Sequence, residues 1–280
     1  MALNILVVIA HPHDFTHCAG TCGIHVAQGD QVTVVSVTDG GQTHNEKLHD
    51  ELLKPRAEQD PQIVEQSRED YAAQKARELE QVCALFGVSD VRVLAYDQPF
   101  RLEQATGVVE ELRDLIYEVR PQVLITQRGY FSGRHGLDGL ARDDHNEVAV
   151  AILEAKHQAA IPDYQRRVRP HTIAETHYMG VYFTRDEIDF YVDISAWHEQ
   201  RVLAETLFAS QSQTETFAKK RVEIGAGTMG WSAHVEYAEG YVRAEPEVLP
   251  RITVSEHALQ QASEPRQNQL KRVAGELDAE

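Results

Sequence analysis

At 280 residues, with 42% apolar and 25% charged residues, the chain has the composition of a globular protein with a sizeable core. Its formal net charge of -17 argues against nucleic-acid or anionic-membrane partners, although a local arginine cluster could still receive an anionic small molecule. No apolar run reaches the roughly 18–20 residues of a membrane span. The start MALNILVVIAHP lacks the basic region of a signal peptide, and three cysteines make no disulfide framework, so a cytoplasmic protein is expected.

LNILVVIA (3–10) is a continuous run rich in β-branched residues, the pattern of a strand buried on both faces. FTHCAGTCGIHVAQG (15–29) spaces Phe15, Cys18, Ala19, Cys22 and Val26 along one helical face, with Gly29 as a stop. QVTVVSVT (31–38) is a second strand running into the turn DGG, and Gln42 to about Pro61 is too polar for core. A helix over 63–87, a strand over 90–96, a helix over 103–119 and a strand over 121–126 follow. The second half is less regular, with a helix over 143–160, strands in YMGVYF (178–183) and DFYVDIS (189–195), and a helix over 195–212. IGAGTMGW (224–231) reads as a surface loop able to act as a lid, and the chain turns polar from about Val248. The alternation predicts a Rossmann-like three-layer α/β fold with a mainly parallel sheet. One domain over 1–250 and a polar extension over 251–280 are expected.

Ligands in such sheets collect beyond the carboxyl ends of the strands. His11, His13 and Asp14 follow the first strand, and Gln127 and Arg128 follow the fourth. There is no G-x-G-x-x-G after the first strand, so the usual dinucleotide site is not expected. His11 and Asp14 instead offer nitrogen and oxygen donors to one zinc or another divalent transition metal. His145 in RDDHNE is the best third ligand, with Asp144 as helix cap and Glu147 at the third helical position. Three protein ligands and an open position describe a catalytic zinc. From the residues alone, the alternative is that Asp14 and Asp144 merely cap helices. Cys18 and Cys22 read as core, and His17 and His25 as helix surface.

ILVVIAHPHDFTHCAGT, GDQVTVVSVTDG, ELEQVCALFGVSDVRVLAY and DDHNEVAVAI, in that order, resemble the LmbE/PIG-L family of zinc-dependent de-N-acetylases over roughly residues 3 to 155. VDISAWHEQRVLAETLFASQSQ resembles a later family segment. The resemblance implies that His11, Asp14 and His145 ligate zinc, and that an acyl group, by family default a sugar-linked N-acetyl, is removed by metal-activated water.

The departures are informative. His13 stands where the family keeps the aspartate assigned as general base, Phe15 where it keeps glutamate, and Arg142 where it keeps a histidine. A neutral imidazole can still act as base, although a neighbouring zinc ion would oppose its protonation. Arginine cannot shuttle a proton but can hold a carboxylate or stabilise an oxyanion. HDF also resembles the loop of a hydratase branch of the family, the 4-oxalomesaconate hydratases, which add water to an unsaturated tricarboxylate. On that reading Arg128, Arg134 and Arg142 bind substrate carboxylates, while Glu46 and His177 handle protons. A third reading is a non-catalytic metal- or ligand-binding homologue. The expected partner is a small molecule, anionic ones included, and a homo-oligomer is compatible with the sequence.

Overall fold

The computed structural model describes residues 2–128 and 143–277. In chain order the elements are β1 (Asn4–Ile9), α1 (Ala19–Ala27), β2 (Gln31–Thr38), α2 (Glu46–Leu53), α3 (Pro61–Val64), α4 (Arg68–Leu85), β3 (Asp90–Tyr96), α5 (Val108–Val119) and β4 (Val123–Thr126). Then come α6 (Asp144–Ala160), β5 (Glu175–Met179), β6 (Phe190–Asp193), α7 (His198–Leu207), α8 (Glu215–Val222), α9 (Thr228–Ala233), β7 (Ala238–Arg243), α10 (Glu256–Ser263) and α11 (Arg266–Val273).

The seven strands lie in the order β3-β2-β1-β4-β5-β7-β6. The first five in that row pair in parallel, while β7 runs antiparallel to both β5 and β6. The sheet is thus mainly parallel, as the strand–helix alternation predicts. Period-2 alternation in β1 sends Ile5, Val7 and Ile9 into one core and Leu6, Val8 and Ala10 into the other. The first core is closed by α1, α4 and α7 through Cys22, Leu79, Val82 and Ala204. The second is closed by α5 and α6 through Leu112, Ile116, Ile152 and Ala155. Cys18 and Cys22 are fully buried, as their spacing suggests.

Chain order reverses about β1: β2 lies on one side and β4 on the other. A crevice opens where strand order reverses, beyond the carboxyl ends. His11 leaves β1 at that point and Gln127 leaves β4.

Several boundaries differ from the sequence pattern. The helix expected from Phe15 begins only at Ala19, because Pro12–His17 forms a 3-10 turn with Pro12 in its first position. The helix expected over 63–87 is broken before Arg68, where the Ser67 side chain caps α4 by accepting from the Asp70 amide. IGAGTMGW is helical rather than a loop: Glu223–Gly227 is a π-helical turn leading into α9. Strand β7 has no counterpart among the sequence expectations. Its AEGYVR alternates weakly and carries the buried Glu239. Residues beyond Val248 are mostly exposed, with Val248 and Ile252 at 90% and 96%.

Candidate metal centre

The 3-10 turn after β1 folds because its own side chain closes it. Asp14 accepts from the His11 amide at 2.9 Å, reaching back across the turn. Its Oδ2 also accepts from Gln127 Nε2 at 2.7 Å, and Gln127 Oε1 accepts from the Ala10 amide at 3.0 Å. The same Gln127 nitrogen donates to the Tyr182 hydroxyl at 3.0 Å. Gln127 is fully buried, so each of these bonds is shielded from water.

From α6, His145 closes the cluster. Its Nε2 lies 3.4 Å from Asp14 Oδ1, and His11 Nδ1 lies 3.4 Å from Asp14 Oδ2. Potential ligand atoms of His11, Asp14 and His145 all fall within 4.8 Å of one another. A tetrahedral zinc with arms of about 2.1 Å has ligand–ligand edges of about 3.4 Å, so this donor set fits that ion.

The outer nitrogen of each histidine is occupied by a carboxylate. His11 Nε2 faces Asp144 Oδ2 at 3.1 Å, and His145 Nδ1 bonds Asp143. An imidazole N–H donated to a carboxylate fixes the tautomer and leaves the opposite nitrogen's lone pair free for a metal. The helix cap is Asp143, which accepts from the His145 amide at 2.7 Å, and not Asp144 as the sequence pattern suggests. Asp144 is released for other work, holding His11, the Phe100 amide at 2.9 Å and Arg101 at 3.2 Å. Glu147 accepts from the Leu102 amide.

Without a metal the cluster is an ion network. Burial alone would depress His145, but Asp14 and Asp143 outweigh it and hold its pKa at about 10. Burial likewise opposes the charge on Asp14, yet His145 and His11 keep its carboxyl well below the usual range. For His11, too, the neighbouring Asp14 and Asp144 outweigh burial, and its pKa is raised.

His13, on the same turn, bonds α7 instead. Its Nε2 bonds Glu205 Oε2 at 2.8 Å, and its ring packs edge-on against Phe208. Glu205, on α7, is fully buried. Burial would raise its pKa, but His13, Arg201 and Arg221 hold it well below the ordinary carboxylate range. Sequence reasoning missed Glu205, Asp143 and the role of Asp144. Only a turn-to-helix contact 192 residues apart reveals the first. His17 is half-buried rather than on the surface, its ring facing Tyr182 at 6.0 Å, and burial pushes its pKa well down.

Of the other candidates, Arg128 lies at the end of β4, its guanidinium over the Phe183 ring and 3.3 Å from Glu187. Arg134 and Arg142 lie outside the described residues. Glu46 and His177, the two residues expected to handle protons, lie on separate elements. Glu46 is exposed at the start of α2 and bonds His44. His177 pairs in register with Ile125, and Ile125 with Val7. That level is four residues before His11, about 13 Å down the strand. There His177 contacts Glu175 and packs on Phe190, so strand register keeps it from the ligand cluster.

Residues 6–156 match the PIG-L family model, described as GlcNAc-PI de-N-acetylase. A probable N-acetyl-alpha-D-glucosaminyl L-malate deacetylase 2 of Bacillus cereus is 28% identical over 82% of this chain and 94% of its own length. A 1D-myo-inositol 2-acetamido-2-deoxy-alpha-D-glucopyranoside deacetylase of Actinosynnema mirum is 28% identical over 54% of this chain and 55% of its own. Among solved structures, the 4-carboxy-2-hydroxymuconate hydratase of Pseudomonas putida superposes with a TM-score of 0.69 at 18% identity, covering 89% of this chain and 99% of that one. The N,N'-diacetylchitobiose deacetylase of Pyrococcus horikoshii gives 0.64 at 18% identity, covering 94% and 87%. At these identities the superpositions show a shared fold.

Proposed function

The chain belongs to the PIG-L family, whose model it matches over more than half its length, and on that premise we propose that it is a zinc-dependent N-deacetylase of a small N-acetylglucosaminyl conjugate. The supporting observation is the His11–Asp14–His145 cluster, whose spacing suits one metal and whose histidines are each backed by a carboxylate. Relatives of 28% identity are deacetylases of such conjugates, which favours this reaction over others the fold supports. The catalytic domain is taken as 1–250, with 251–280 as an extension.

His11 Nδ1, an Asp14 oxygen and His145 Nε2 would hold the ion. Zinc there would lower the pKa of a bound water and polarise the substrate carbonyl. The chain's own groups do the rest. Gln127 holds one Asp14 oxygen so that the carboxylate keeps its aim. Glu205 fixes the His13 ring through Nε2, leaving Nδ1 as the nitrogen that exchanges a proton with the attacking water and the departing amine. Arg142 stabilises the oxyanion or an acidic substituent, and Arg128 and Arg134 bind other substrate groups.

The second reading, a hydratase of an unsaturated carboxylate, is favoured by Phe15. The ring is fully buried against Phe86, so no acid group is available at that loop position. The two reactions separate in one assay on the zinc-loaded protein. Release of acetate and a free amine from N-acetylglucosaminyl L-malate supports deacetylation. No acetate, with ultraviolet loss on a conjugated oxo-dicarboxylate, overturns it in favour of hydration.

A further inference from the structure

Arg201 on α7 is an awkwardly placed cation. Only 6% of it is exposed, yet its guanidinium nitrogens reach Glu205 only at 3.4 Å and Glu239 only at 3.8 Å. Its Nε has no hydrogen-bond partner among the described residues. A buried donor left without a partner carries its full desolvation cost, so such a group in a stable fold calls for a ligand.

Neither neighbouring acid is free to satisfy it. Glu205 is shared with His13 and, at 3.4 Å, with Arg221 on α8. Glu239 accepts from the Gly20 and Thr21 amides at 2.9 Å and from the Thr21 hydroxyl at 2.6 Å, closing the start of α1.

Arg201 lines a cavity of about 490 Å³, the size of a small-ligand site. Phe183, Ile188, Tyr191 and Met229 give it apolar walls, and the exposed Phe217 and Ile224 flank it. Arg185, Lys220 and Arg221 are the other cations in its lining, against Glu205 and Glu239 as acids. Four cations facing two carboxylates reverse, in one place, the sign of a chain whose net charge is -17. Thr16 and His17, from the metal-bearing turn, form part of the same wall.

We propose that this cavity binds a small amphipathic carboxylate, its aryl or alkyl body against Phe183, Tyr191 and Met229 and its carboxylate on Arg201 and Arg221. The site goes beyond the deacetylase reading and does not need it. The carboxylate belongs either to a substituent of the substrate or to a separate ligand, and the two sources share one chemistry.

The test is calorimetry with 3-phenylpropionate and its neutral amide on the zinc-loaded protein. Saturable one-to-one binding of the carboxylate is expected, at least tenfold weaker for the amide. Arg201→Met and Arg221→Met should each weaken it at least tenfold. Arg221 is partly exposed, so its variant keeps the test alive should Arg201→Met fail to fold. No saturable binding, equal binding of carboxylate and amide, or full binding by folded Arg221→Met overturns the proposal. Because binding is read without turnover, a protein that binds the probe but releases no acetate refutes the deacetylase reading and leaves the site standing. Where acetate is released, competitive inhibition by phenylpropionate assigns the cavity to a substrate substituent, and binding without competition assigns it to a separate ligand.

Discussion

Replacing Asp144 with alanine tests whether the carboxylate behind His11 matters as much as the ligand itself. Asp144 Oδ2 holds His11 Nε2 at 3.1 Å, and Oδ1 accepts from the Phe100 amide at 2.9 Å and from Arg101 at 3.2 Å. Loss of an outer-shell carboxylate typically weakens metal binding about 10- to 100-fold, or about 1.4–2.7 kcal/mol. Stranding the Phe100 amide should separately cost about 1–3 kcal/mol of folding stability. Asp144→Asn retains an acceptor of the same shape, so it should recover most of the stability and only part of the affinity. Zinc affinity measured by competition with a chromophoric chelator, beside urea unfolding of the metal-free protein, separates the two effects. A folded Asp144→Ala variant that binds zinc within twofold of the parent would show that Asp144 does not support His11 as a ligand.

Removing a ligand outright, as in His11→Ala or His145→Ala, should abolish stoichiometric zinc in the purified protein, read by atomic absorption. Zinc must displace the proton that His145 holds up to a pKa of about 10, so this proton alone should make apparent affinity rise by about tenfold per pH unit from 7, levelling off near 10. An affinity flat over that range would contradict the ion network. Glu205→Gln strips the buried Arg201 of its nearest countercharge and should destabilise the fold by about 3–5 kcal/mol in urea titration. Gly20→Ala would place a methyl 2.7 Å from Ile194 Cγ2, and overpacking of about 1–3 kcal/mol should lower the Tm.

The parallel half of the sheet was readable because β-branched strands and amphipathic helices repeat plainly from Asn4 to Thr126. The His11–Asp14–His145 cluster was readable as a candidate because two of its residues share one turn and the third opens a helix. What surrounds them was not. Asp143 and Asp144 look interchangeable as caps, and only the packing of α6 against β1 decides which one faces His11. Glu205 lies on an ordinary helical stretch, and its importance comes from where α7 docks against the turn. Glu46 sits exposed at the start of α2, a setting that its place soon after a strand end does not disclose. The depth of His177 in the sheet was not legible because register, which sets it, is not written in its neighbours.

One buried amide at the end of β4, that of Gln127, joins the end of β1, the Asp14 carboxylate in the turn that follows it, and the Tyr182 hydroxyl from a distant stretch of chain. The turn bearing His11 and Asp14 is therefore not a portable cassette. Grafted onto another parallel sheet it would bring its donors but not their aim, since that is supplied by the strand next door. Anyone moving this centre to a new scaffold must carry the end of β4 along with the turn after β1.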